Sequence, residues 1–318
     1  MRGLLVVNPN ATTTTPRARE VLIGALAHQV DLETVTTDHR GHAAELGAKA
    51  RREGIDVVIA LGGDGTANET INGMLSAGPP GPDLPIFGIV PGGSANVLCR
   101  TLGFSPDPIE ATGALISSLR DRNFKTISLG RANDRWFTCN AGLGMDAEIV
   151  AAMEKARAAG KTASPTRYFV TTVRQFFATD RKHPNQVVLR PGQDPVHGVY
   201  LSIVQNCSPW TYLGVLPVNP NPQASFDEDL DLWALRRMRF VSGLRFGRRM
   251  LMSSKVESSD GALMLHDEKE FTIYCHRPTA LQVDGEGLGE VTEVRFTSHR
   301  QALRVVVSQA EDSSNSTE

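Results

Sequence analysis

Cysteine is scarce: four residues, Cys99, Cys139, Cys207 and Cys275, lie far apart in 318. None forms a CxxC pair, which argues against a thiol redox motif or a zinc site of the usual spacing. Reduced thiols in a cytoplasmic setting are the expected state. Long apolar runs are missing too. The opening MRGLLVVNPNA breaks at Asn8-Pro9 after a short apolar stretch, too short for a signal peptide. No window approaches the ~20 apolar residues that span a bilayer, so any membrane is expected to be met from its surface. Charge of one sign is lacking as well, with 33 Lys+Arg against 35 Asp+Glu and a formal net charge of −2. Nucleic acid is therefore not an expected partner, and attraction to an anionic membrane must come from a local patch.

What is present is enough chain for one large or two medium domains. Up to about residue 127, strand-like and helix-like segments alternate. The helices are RAREVLIGALAHQ, AAELGAKARREG, TANETINGML and DPIEATGALISSLR. Between them stand LLVVNP, VDLETVTT, DVVIALGG and IFGIVPGG. Continuous apolar strands separated by helices predict an α/β domain with a parallel sheet. From Ile127 onward short β-rich pieces between turn residues predict a mostly antiparallel second domain, a sandwich or a barrel. Helical segments interrupt it at DAEIVAAMEKARAAG, RYFVTTVRQFFATD and VSGLRFGRRMLMSS. The polar end, 309–318, is expected to be disordered.

The glycine-rich turn LGGDGT follows a buried strand and opens a helix near Thr66. Gly62, Gly63 and Gly65 would let backbone amides approach a ligand, and the helix N-terminus would favour an anion. Asp64 sits where a phosphate would be repelled. A divalent cation between carboxylate and phosphates resolves that conflict. No lysine follows, so the turn is not a Walker A loop, and the G-x-G-x-x-G dinucleotide spacing is absent. The plainer alternative is a tight turn with Asp64 as a helix cap. A second strand end, VPGGSANV, repeats the arrangement with Gly92, Gly93, Ser94 and Asn96. A third, VNPNA, brings Asn8.

GGDGTANE, PGGSANVLCRTLG, FDEDLDL and VDGE, in that order, resemble the diacylglycerol kinase catalytic-domain family, which includes bacterial lipid kinases and sphingosine and ceramide kinases. The resemblance runs from Leu4 to about Val307. It implies a nucleotide-binding α/β domain at 1–127, rejoined by the strand 301–308, and a β-sandwich lipid-substrate domain at 128–300, with ATP in the cleft between them. It also implies that Gly62 to Thr66 hold the ATP phosphates and that Asn68 and Glu69 support that loop. Gly93, Ser94 and Asn96 would line the nucleotide site, with Thr36 or Thr37 nearby. Mg²⁺ is implied with ATP, and Asp64 is expected to hold it. Asp284 and Glu286 match the acidic pair at which the family places its base, and Asp284 is the expected base. Read as residues alone, the same DG is a type I′ hairpin turn. Asp227, Asp229 and Asp231 match an acidic loop that holds a structural Mg²⁺ in some bacterial members. Glu228 stands there in place of the usual glycine.

Two further positions depart from the pattern. Val97 and Ser128 stand where the family often has acids. An ATP-dependent lipid kinase acting on diacylglycerol or a related lipid is the reading this supports. NAD kinase and a non-catalytic nucleotide or lipid sensor are the alternatives, and a homodimer is compatible with any of them. The stretch Arg236–Lys255 carries seven basic residues interleaved with apolar ones. It suits either a peripheral contact with anionic lipid or an ordinary solvated face. Tyr168, Phe169, Val173, Phe176 and Phe177 fall at helical spacing, as core packing or as an acyl pocket wall. Trp210 and Tyr212 raise the same choice. VPGGSANV lacks the last glycine of a G-x-S-x-G nucleophile elbow, which excludes an esterase of that type. His39, His42 and Glu45 are spaced to bind a metal, although a solvated helix start is the simpler reading. The remaining histidines, His266 and His299 among them, show no spacing that suggests catalysis.

Overall fold

The computed structural model describes residues 1–11, 15–158, 183–236 and 261–309. The aromatic helix expected at 167–180, most of the basic stretch 236–255 and nearly all of the polar end lie outside them. The chain divides into two units: Met1–Ile127 with Ala302–Glu318, and Ser128–Gln301.

The first unit alternates strand and helix. Its elements are β1 (Arg2–Val7), α1 (Pro16–Ala27), β2 (Asp31–Thr36), α2 (His42–Arg52), β3 (Val57–Gly62), α3 (Asp64–Ser76), β4 (Ile86–Pro91), α4 (Val97–Thr101) and α5 (Pro108–Arg120). All pairings are parallel: β1 lies between β2 and β3, and β4 follows β3. Every residue of β3 and β4 is buried, as the continuous apolar runs VVIALG and IFGIVP require of strands covered on both faces. Thr15 caps α1 and Asp107 caps α5, each followed by proline at the first helical position.

α3 matters most for the site. It packs against α2 backbone to backbone, because a Cβ at Gly47 would collide with the Thr70 carbonyl and one at Gly73 with Ala44. Its C-terminal end is held by buried Arg51, which donates to the carbonyls of Met74 (3.1 Å), Gly78 (2.6 Å) and Pro79 (2.8 Å) and pairs with Asp83. A guanidinium at the negative end of the helix satisfies carbonyls that no turn of helix follows.

The second unit contains β5 (Phe124–Ala132, begun in the first unit), β6 (Arg135–Phe137), β7 (Asn140–Leu143), α6 (Met145–Ala158), β8 (Gln186–Leu189), β9 (Val196–Val199), β10 (Leu201–Gln205), β11 (Thr211–Leu213), β12 (Leu216–Val218), β13 (Leu230–Leu235), β14 (Ala262–Glu268), β15 (Glu270–Val283) and β16 (Glu286–Val306). The strands run in the order β14-β13-β10-β7-β15-β16, with antiparallel pairing throughout. Residues of β13 alternate between two cores. Leu230, Leu232 and Ala234 join the cluster of Phe137, Phe271 and Phe296, while Trp233 and Leu235 join Leu201 and Ile203. Both faces are covered, so every residue of β13 is buried, and all but Asp231 are apolar. β11 and β12 form a separate two-stranded hairpin.

The pieces LGEV, TEVRFTSH and ALRVVV, which read as separate strands, are one 21-residue strand. Register shifts opposite Tyr274 to Thr279 and a positive φ of 51° at Gln301 absorb the irregularities that looked like breaks. The far end of β16, from Ala302, belongs to the first unit, where it lies parallel to β4 with Val305 opposite Phe87.

Candidate active site

The two glycine turns of the first unit stand at the C-terminal ends of β3 and β4 and are fastened to each other. Gly92 N–H donates to Gly62 O at 2.8 Å. A Cβ on Gly92 would lie 2.8 Å from Gly62 Cα, and one on Gly93 2.8 Å from Gly63 Cα. These positions are glycine because two backbones touch there. Gly65 differs: a Cβ there meets nothing within 4 Å, so this glycine faces open space at the first turn of α3.

Asp64 is the first residue of α3, two residues earlier than the sequence pattern suggests. Its Oδ2 accepts the N–H of Val97 (3.1 Å) and its Oδ1 that of Leu98 (3.0 Å). It therefore caps a helix, as the plainer alternative had it, but the helix is α4 rather than its own. Asn96, the residue before α4, offers no cap of its own. It sits in the left-handed region (φ 48°) with its side chain closed on Gly93, accepting the Gly93 amide and donating to the Gly93 carbonyl, each at 2.8 Å. The Asn96 amide group thus shapes the loop in which it was expected to line the nucleotide site. Burial, then the Asp64 charge, pushes the Cys99 thiol far up.

Asn8 donates through Nδ2 to Thr66 Oγ1 at 2.9 Å, so the first strand end reaches the turn. Thr37 binds the end of β1 through its N–H to Val7 O (2.8 Å). Ser94 is exposed beside Gly93. Glu69 is half-buried on α3, with Oε1 4.0 Å from where a Cβ on Gly41 would stand. Asp38, His39 and His42 form a surface group at the start of α2, in which His42 Nδ1 lies 2.7 Å from Asp38 Oδ1 and the imidazole rings stack at 4.9 Å. The Arg40 carbonyl, aided by Asp38, Glu45 and Glu69 against desolvation, holds His39 above its ordinary pKa.

In the second unit, VDGE is a two-residue hairpin between β15 and β16. Val283 pairs with Glu286, and Asp284 and Gly285 both have positive φ, 46° and 81°. That is the type I′ geometry expected of DG. Asp284, only 5% exposed, accepts four hydrogen bonds. Thr138 N–H (2.7 Å) and Oγ1 (2.9 Å) bind Oδ2, and Cys139 N–H (2.8 Å) and Asn140 N–H (3.0 Å) bind Oδ1. A carboxylate has about four acceptor positions, so this one has little left for a substrate hydroxyl. That is the physical objection to Asp284 as the base. Glu286 pairs through Oε2 with Arg135 Nη2 at 2.7 Å, its side chain 19% exposed. Sequence reasoning missed Arg135, Thr138 and Asn140. They lie nearly 150 residues from their partners, and no local pattern marks them.

In the acidic loop the carboxylates meet basic side chains. Asp231 faces His266 (2.8 Å), and Asp229 faces Arg300 (3.0 Å), which also pairs with Asp267 (2.6 Å). Among the described residues, Asp38, His39 and His42 form a group of three with metal-ligand spacing. Two basic side chains thus stand beside carboxylates expected as Mg²⁺ ligands. His266, whose place in the sequence suggested no catalysis, is one. Burial lowers its pKa, but Asp231, Glu228 and Asp267 outweigh that and raise it.

The glycine turns at the parallel strand ends fall within a segment that resembles a known family. A model of the diacylglycerol kinase catalytic domain matches residues 2–132. Over this segment the chain is similar to the diacylglycerol kinase catalytic-domain family. A diacylglycerol kinase of Staphylococcus saprophyticus is 32% identical over 118 residues, 37% of this chain and 36% of that one. One of Bacillus subtilis is 30% identical over 157 residues, 46% and 47% of the two chains. The matches thus span a third to a half of these relatives. The crystal structure of a Bacillus anthracis diacylglycerol kinase superposes with a TM-score of 0.75 over 97% of this chain and 98% of that one, at 22% identity. An Archaeoglobus fulgidus NAD kinase crystallised with ATP gives 0.51 over 97% and 94%, at 12% identity. Both share the fold of a parallel α/β part and a strand-rich part. No helix among the described residues is long and apolar enough to cross a membrane.

Proposed function

We propose that this protein is a lipid kinase that transfers the γ-phosphoryl group of ATP to a hydroxyl of diacylglycerol or a related lipid. The observation that carries the reading is the pair of glycine turns locked together by Asp64 within the matched family segment. A turn that is rigid before ligand arrives presents backbone amides of α3 to phosphate at little ordering cost. Gly65 leaves room for that approach. Asp64 is the carboxylate of this turn, already shared with two amides. Mg²⁺ would enter with the triphosphate, held chiefly by phosphate oxygens, and would neutralise charge on the transferring group.

The VDGE hairpin supplies the base. Of its two acids, Glu286 is the better placed, because it is the more exposed and Asp284 is engaged by four donors. Asp284 then fixes the hairpin, and Glu286 accepts the hydroxyl proton as the bond to phosphorus forms. Arg135 orients the Glu286 carboxylate. A cytoplasmic protein that visits the membrane surface fits this chemistry.

The test is transfer from γ-labelled ATP with Mg²⁺ to diacylglycerol, monoacylglycerol, ceramide, sphingosine and a polyprenol in mixed micelles, with NAD as a further acceptor. Label in one lipid supports the reading and names the acceptor. Label in NAD alone, or in nothing while ATP still binds, overturns it.

A further inference from the structure

The β11–β12 hairpin ends in an uncharged apolar tip. Leu213, Val215 and Leu216 are 36%, 84% and 55% exposed, and Gly214 makes the turn with φ 64°. No charged side chain occurs from Cys207 to Phe226. Behind the tip stand half-buried Tyr212 and Trp210, and Trp210 packs onto the Trp233 core cluster. The hairpin is thus anchored at its base and bare at its end.

The base also leads to the acids. Asn140 Nδ2 donates to Trp210 O at 3.0 Å. The same residue binds Asp284 twice, its N–H to Asp284 Oδ1 (3.0 Å) and its carbonyl to Asp284 N–H (2.8 Å). One residue therefore joins the hairpin to the VDGE turn.

We propose that this hairpin inserts its tip into the interfacial layer of a lipid bilayer and presents an acceptor lipid to the acid turn. A tip of a few residues is too small for a stable protein interface, which needs roughly 1,000 Å² or more. A bilayer asks only for apolar side chains with amphipathic aromatics behind them. Strands of three residues reach about 10 Å, matching the ~5–10 Å depth of interfacial elements. At that depth water still satisfies the turn backbone. Presentation of the acceptor rests on the lipid-kinase reading; insertion does not.

The experiment is sedimentation of the full chain with phosphatidylcholine vesicles at high salt, which screens the basic residues near 236–255. The comparison is a Val215→Asp/Leu216→Asp double variant, with thermal melting to confirm the fold. Vesicle binding falling about tenfold or more in the variant, with a blue shift of Trp210 emission seen only in the wild type, supports insertion. Equal sedimentation, or no binding by the wild type, overturns it. Transfer from ATP to a soluble short-chain diacylglycerol without vesicles is measured in parallel. Loss of transfer there with hairpin-dependent binding intact removes the kinase reading and leaves insertion standing. Transfer to a vesicle lipid falling in the variant while transfer to the soluble acceptor holds supports presentation; equal loss on both overturns it.

Discussion

Asp64 in α3 and Leu98 in α4 are joined by a carboxylate–amide hydrogen bond of 3.0 Å, with Val97 bound to the other oxygen at 3.1 Å. One side chain caps a helix that its own neighbour, Asn96, leaves uncapped. Asp64→Ala is expected to lower unfolding stability by about 1–2 kcal/mol and to weaken nucleotide binding. Asp64→Asn keeps one acceptor and should lose roughly half as much. Urea titration with a fluorescent nucleotide as second probe checks this. Unchanged stability with lost activity would move Asp64 from clamp to ligand.

The two acids of the hairpin should respond differently to removal of charge. Asp284→Asn turns an N–H₂ group toward backbone donors in a buried site and is expected to cost about 1–3 kcal/mol. Glu286→Gln gives up one partly exposed ion pair with Arg135 and should cost less than about 1 kcal/mol. If Glu286 is the base, its variant loses transfer at least about a hundredfold while melting almost as the wild type does. A Glu286→Gln enzyme that keeps its rate would return the role to Asp284.

Arg300 and His266 occupy the neighbourhood where a structural cation was expected. EDTA is therefore expected to leave the melting temperature unchanged. Arg300→Met should lower stability by about 0.5–1 kcal/mol, since the pairs are partly exposed, and should make the variant more responsive to added Mg²⁺. A melting temperature that falls in EDTA alone would show a bound metal.

The parallel unit was legible because its signals are local. Runs such as VVIALG and proline after Thr15 or Asp107 each fix one element. The DG turn was legible for the same reason, since only two positive-φ residues close so short a hairpin. The partners of the acids were not. Thr138 meets Asp284, Arg135 meets Glu286 and Arg300 meets Asp229 across long stretches of sequence. The β11–β12 hairpin escaped notice because three-residue strands, one of them with a proline, carry little periodic signal.

His299 gives a pH dependence of definite sign. Its ring meets Trp136 edge-on at 4.6 Å, and Arg131 lies over the same indole at 5.3 Å. Thr297 Oγ1 lies 3.3 Å from His299 Nε2. Burial first, then the Arg131 charge, holds this histidine below its ordinary pKa. The folded state therefore resists a proton that the unfolded chain accepts near pH 6.5. Stability from the neutral ring is present above that pH and lost as pH falls through it toward the folded pKa. His299→Gln removes the titration but keeps a hydrogen-bonding side chain. The stability gap between wild type and variant is expected to shrink steadily when urea titrations are taken from about pH 7.5 down to about pH 5. A gap that stays constant would show that His299 titrates alike in both states. A gap that widens on acidification would reverse the sign and place a carboxylate, rather than Arg131, in control of the ring.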